Sequence, residues 1–358
     1  MITTVKTITP KNLISILILS LLSALKLYAQ PSLRLSFPEL FIKLDTTCMT
    51  PDAMAFDAAG NIYLSVTNAT TYDRFGAKII KLSPTGKILA TWTALPKHAA
   101  SGKVHPMGIA IAPDGFVYIA DNQSFAGQKH KSRVLRAKLQ NGEIRNFETI
   151  VSGLNVANGL RYHRGYIYVT DAWTDNERKS GIYRFSITDL NNKPVIIEPD
   201  NRQQYLIHEM ELDQNIANGV GADGMDFDAS GNLYVGNFSN GTITKITPGN
   251  NTTDREITRL IKDNMLTGCD GILFDRSSNS LLIANFLQNS ILQYDLSTNR
   301  LSSLWKNDDA PCNASLDCPC DLAIVNNKLI VVNFDTYTTP ANRTLDNCNT
   351  ISSFNILR

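Results

Sequence analysis

The sequence predicts an all-β fold, a six-bladed β-propeller with four-stranded antiparallel blades, and three observations carry that expectation. A strand–turn–strand motif recurs six times, its turns use residues that tolerate positive φ, and most copies are followed by one or two further strand-like runs.

The copies are PDAMAFDAAGNIYLS from Pro51, PMGIAIAPDGFVYIADN from Pro106, ANGLRYHRGYIYVTD from Ala157, ADGMDFDASGNLYVGNF from Ala222, CDGILFDRSSNSLLIANF from Cys269 and CDLAIVNNKLIVVNF from Cys320. Their turns contain Gly60-Asn61, Asp114-Gly115, Arg164-Gly165, Gly231-Asn232 and Asn326-Asn327, the residue types that tight hairpins require. The flanking runs are rich in Ile, Val, Leu and Tyr, as strands buried between packed sheets should be. Third and fourth strands are read at Lys78 to Leu82 with Ile88 to Thr93, at Arg133 to Leu139 with Ile144 to Ile150, and at Ile291 to Leu296 with Leu301 to Trp305.

The second residue of each motif falls at 52, 107, 158, 223, 270 and 321, so one interval, from 158 to 223, is longer than the rest. The stretch from Asp189 to Asn218 accounts for it as an insertion loop after blade three. At the ends, Leu40 to Leu44 has no partner before blade one, and Ile351 to Ile356 follows the last hairpin. Pairing the first into blade six closes the ring and removes exposed sheet edges.

Residues 1–29 read as an export signal: Lys6 and Lys11 charge the start, an apolar run extends from Leu13 to Leu25, and Leu27, Tyr28 and Ala29 form a cleavage site before Gln30. Residues 30–358 are then the propeller, secreted or at least extracytoplasmic; the Leu13 to Leu25 run is too short to span a bilayer, and no later run is long and apolar enough. Net charge is +1 from 34 basic and 33 acidic residues, which gives no footprint for nucleic acid or a charged membrane. Six cysteines, Cys48, Cys269, Cys312, Cys318, Cys320 and Cys348, suggest disulfides in an oxidising compartment. A zinc site on Cys312, Cys318 and Cys320 lacks a close histidine. Sequons occur at Asn68, Asn122, Asn237, Asn240, Asn250, Asn251, Asn313 and Asn342.

In a propeller the first strand of each blade lines a central channel, so residues at the start of those strands gather at one mouth. They are Asp52, Met107, Asn158, Asp223, Asp270 and Asp321, five of them oxygen donors, with Gly following at 108, 159, 224 and 271. Converging carboxylates repel one another unless a cation joins them, and oxygen ligands without His or Cys select calcium, with magnesium or manganese less readily bound. The plainer alternative is that each residue caps its own turn.

At these residues the chain resembles the calcium-dependent propellers of the gluconolactonase and regucalcin family, with diisopropylfluorophosphatase and paraoxonase as more distant relatives. That resemblance implies metal ligands at Asp52, Asn158, Asp223 and Asp270, with Asp52 shorter than the usual Glu and Asp223 charged where the usual residue is Asn. It implies Ca2+, with Mg2+, Mn2+ or Zn2+ as substitutes, and a hydrolase of small lactones or related esters. Asp270 would be the catalytic base, with Asp223 as fallback, and the partner a small-molecule substrate such as a lactone. His105 stands near the mouth of blade two and could assist. No GxSxG elbow marks a serine nucleophile. A non-catalytic secreted propeller that binds a small ligand or a protein is the alternative, because fold does not decide function. Arg161 is the nearest arginine in sequence to the channel positions of blade three.

Overall fold

A computed structural model of the protein describes residues 33–174, 178–216, 219–247, 255–309, 313–335, 339, 341 and 348–358. The proposed signal segment, Cys312, and the sequons at Asn250, Asn251 and Asn342 lie outside the described residues.

The six repeats form six sheets arranged as a propeller. Blade one consists of Pro51–Phe56, Ile62–Val66, Lys78–Leu82 and Ile88–Trp92, each antiparallel to the next. The inner strands of the six blades are Pro51–Phe56, Pro106–Ile111, Ala157–His163, Ala222–Phe227, Cys269–Asp275 and Pro319–Val325. Each packs against the next, and the last returns against the first, which closes the ring. Second strands such as Ile62–Val66 and Ser280–Asn285 are buried throughout, whereas outer strands such as Glu256–Lys262 are mostly exposed.

Hairpin chemistry follows the sequence closely. Arg164 and Gly165 have φ of 45° and 85°, and Asn326 and Asn327 of 48° and 61°, the paired left-handed conformations of a type I′ turn. Three turns share a further device that the repeat carries as Asp followed by Tyr. The Tyr63, Tyr118 and Tyr234 hydroxyls donate to the turn carboxylates Asp57, Asp114 and Asp228 at 3.4, 2.5 and 3.0 Å. Each tyrosine thus buries its ring between blades while its polar tip fastens the turn.

The ring closes as expected. Glu39–Lys43 and Arg34–Leu35 both pair antiparallel with Thr350–Leu357, so the N-terminal strands complete blade six. Two expectations need correction. The stretch after Asp189 is not simply a loop: Val195–Ile196 adds in parallel to Glu143–Leu154 of blade two, and Leu206–Glu211 is the fourth strand of blade three. The cysteines are also not generally cross-linked. Cys48, Cys269, Cys318 and Cys320 hold buried thiols, and Cys348 is disulfide-bonded. Of the sequons, Asn68, Asn122 and Asn237 are buried, while Asn313 is exposed.

Candidate functional site

The channel residues owe their direction to a defect repeated in every blade. The inner strand loses register with its neighbour between Pro51 and Met54, Pro106 and Ile109, Ala157 and Leu160, Ala222 and Met225, Cys269 and Ile272, and Pro319 and Asp321. Such a bulge frees a residue from the ladder and re-aims its side chain. The freed residues include Asp52, Asn158, Asp223 and Asp270. Glycine follows because the strands meet backbone to backbone: a Cβ on Gly271 would lie 2.5 Å from the Cys320 carbonyl oxygen, and one on Gly224 would collide with that of Asp270.

The structure brings Asp52, Asn158, Asp223, Asp270 and Asp321 onto one cavity, together with Arg161. That cavity is about 20 Å³, room for about one water or a bare cation. Asn158 Nδ2 donates to Asp223 Oδ1 at 2.7 Å. The Asp52 and Asp270 carboxylates accept no hydrogen bond from a described residue. Burial raises the pKa of both well above the carboxylate range; Asp223 and then Asp321 raise Asp52 further, and Asp223, Asp52 and Asp321 raise Asp270. Burial pushes Asp223 up to about 7.

Asp321 stands apart from them. Its Oδ2 accepts from Met54 N at 2.8 Å, and its Oδ1 accepts from Leu322 N at 2.9 Å and from Arg161 at 3.2 Å. It therefore ties blade six to blade one and, through Arg161, to blade three. Arg161, the arginine nearest in sequence to the channel positions of blade three, thus lines the channel. Asp226 was not singled out by the sequence pattern: it accepts from Phe274 N at 2.7 Å and Phe227 N at 2.8 Å, joining blades four and five. The acid three positions after Asp223 in the same inner strand was its signal. His105 is buried beside Tyr72, with ring centroids 4.8 Å apart, and does not line this cavity.

The donor set fits a hard cation by its chemistry, since three unshared or weakly shared carboxylates and an amide face one small space. Among the described residues, however, no group of three or more His, Cys, Asp and Glu side chains is arranged to hold a metal ion. Asn158 presents its amide nitrogen, already engaged with Asp223, rather than its oxygen.

No family model matches the chain, and no curated protein matches it in sequence. Solved structures do. The chain is similar to a PQQ-bound aldose sugar dehydrogenase from Streptomyces coelicolor, with 14% identity over 89% of this chain and 98% of that one and a TM-score of 0.58. It is similar to a calcium-binding regucalcin from Agrobacterium tumefaciens, with 13% identity over 88% and 92% and a TM-score of 0.56. A gluconolactonase from Xanthomonas campestris gives 13% identity over 90% and 91% and a TM-score of 0.54. The likeness first carried by the repeats is therefore met in three dimensions: a regucalcin and a gluconolactonase are among the proteins that share the fold of this chain.

Proposed function

We propose that the protein is an exported calcium-dependent hydrolase of small lactones or related esters, with its site at the channel mouth. One observation carries this reading: three aspartates with raised pKa values, from blades one, four and five, line a single ion-sized cavity with Asn158 of blade three. Buried acids that repel one another are held in readiness for a cation. Bound there, calcium would polarise the substrate carbonyl and lower the pKa of a bound water.

The chain's own residues supply the rest. Asp52, Asp223 and Asp270 offer carboxylate oxygens, and Asn158 offers its amide oxygen after its side chain turns away from Asp223. Asp270, without a hydrogen-bond partner among the described residues, is free to take a proton from the attacking water; Asp223 is the alternative base. Arg161 holds Asp321 out of the ligand set and offsets part of the channel's negative charge. The second reading, a non-catalytic binding module, is favoured by the size of the cavity, which leaves a substrate only the space above it.

Metal analysis of the purified protein and turnover of aldono- and fatty lactones, with and without chelator, distinguish the two. Lactone hydrolysis that stops on chelation and returns with calcium supports the hydrolase. Bound calcium without turnover of any lactone or ester would move the protein to the second reading.

A further inference from the structure

A second and wider space opens on the face that carries the channel mouth. Across blade four the paired positions run Ala222, Asn237, Thr242 and Lys262, so Lys262 ends its outer strand at the edge where the inner strand brings in Asp223. In blade three Glu211 pairs with Lys179 and ends its strand at the edge where Ala157, next to Asn158, begins the inner one. Both residues line a groove of about 710 Å³, against about 20 Å³ at the channel acids and within the roughly 300–1,000 Å³ of sites for small ligands.

Two connections between blades form most of its lining. Leu212 to Ile216 lead from blade three towards the strand of Asp223, while Asn264 and Thr267 lead from blade four to that of Asp270. Ser239 and Asn240 of blade four complete it, and Ser239 N donates to the Val220 carbonyl, three residues ahead of Asp223. The groove therefore adjoins the strands of two channel acids.

Its chemistry selects among ligands. Ten of its twelve lining residues are polar or charged, so an acyl chain would strip water from them without replacing the lost hydrogen bonds. The charges are of both signs, Arg178 and Lys262 with Glu211 and Asp213. A polyanion would meet the carboxylates, and a bare metal ion would meet the two cationic side chains. Glu211 and Lys262 are exposed, and their side chains pair neither with each other nor with another described residue.

We infer that the groove binds an amphoteric polar ligand, a short peptide or amino-acid derivative, whose ammonium group meets Glu211 and whose carboxylate meets Lys262. The Asn264 amide and the Thr267 hydroxyl both give and accept hydrogen bonds, as the peptide unit between those charges requires. As a specificity pocket for the channel mouth the groove rests on the hydrolase reading; its occupancy requires no metal.

Calorimetry in chelator, with the dipeptide alanylglutamine and its N-acetylated and C-amidated forms, is the test. The free dipeptide should bind, and each blocked form should bind roughly 5-fold more weakly. Lys262→Gln should weaken the free and acetylated forms and leave the amidated form unchanged. Glu211→Gln should weaken the free and amidated forms and leave the acetylated form unchanged. Both side chains are exposed, so thermal melts should match the parent's. Absence of binding, equal affinity for the blocked forms, or preference for a neutral sugar, a sugar acid or a fatty acid would overturn the inference. Because no metal is present in this measurement, that failure is distinct from a failure of lactone turnover.

Discussion

Asp270 and Asp321 both line the channel, but blade six is one residue out of step with the expected repeat: by strand pairing Cys320 holds the position of Asp270 and Asp321 that of Gly271, and substitution separates the two aspartates. Asp321 accepts three hydrogen bonds, one from Arg161, so Asp321→Asn should destabilise the fold by about 3 kcal/mol, the scale for breaking a buried pair, as read by denaturant unfolding. This differs from the small effect that its position outside the family-like ligand set would suggest. Asp270→Asn replaces a buried carboxyl that has no hydrogen-bond partner among the described residues and whose pKa is raised by burial and by Asp223, Asp52 and Asp321. The expected result is a metal-free protein at least as stable as the parent, with calcium affinity reduced at least 10-fold by calorimetry and no hydrolase activity. Unchanged calcium affinity would show that Asp270 is no ligand.

At the scale of elements, the bulged inner strands and the closing strand set the geometry. Gly224→Ala would drive a Cβ into the Asp270 carbonyl, so a loss of about 3 kcal/mol is expected, together with weaker cation binding because the strand carrying Asp270 must move. Gly115→Ala tests whether close approach is the cause: no atom lies within 4 Å of its Cβ, and only the strain of a positive φ of 83° remains, so its cost should be smaller. Removing the chain before Thr46 deletes both strands that pair with Thr350–Leu357. The unfolding midpoint should then fall by roughly 10 °C or more; an unchanged midpoint would mean that blade six holds the ring without them.

For the whole molecule, the channel acids couple stability to pH and to cations. Asp52, Asp223 and Asp270 have folded pKa values above the ordinary 3.8, so between that value and the folded ones the native state binds more protons than the unfolded state. In chelator, stability should therefore fall as pH rises from about 4 through about 7, by an amount on the order of a few kcal/mol for Asp223 alone. Calcium should reverse that slope, because binding replaces the protons, and its affinity should weaken as pH falls below 7 with proton release on binding. Thermal melts across this range, with and without calcium, check both signs. A metal-free protein whose stability rose across the window would contradict the crowding of unpaired carboxylates.

Repetition made the fold legible from sequence: six hairpins with apolar strands and left-handed turn residues admit few arrangements, and a lone strand at each end closes a ring. The register Asp52, Asn158, Asp223 and Asp270 was legible for the same reason, since equivalent positions of a closed repeat must meet. What lies between repeats was not. The length of the interval after Asn158 could not show that Val195–Ile196 joins blade two while Leu206–Glu211 completes blade three, because an edge accepts any strand that reaches it. Nor could the pattern of blade three show that Arg161 crosses the channel to Asp321, 160 residues away in sequence. The repeat determined which backbone positions face the axis; only the tertiary structure decided that Asp321 finds partners there while Asp52 and Asp270, desolvated by packing, accept no hydrogen bond among the described residues.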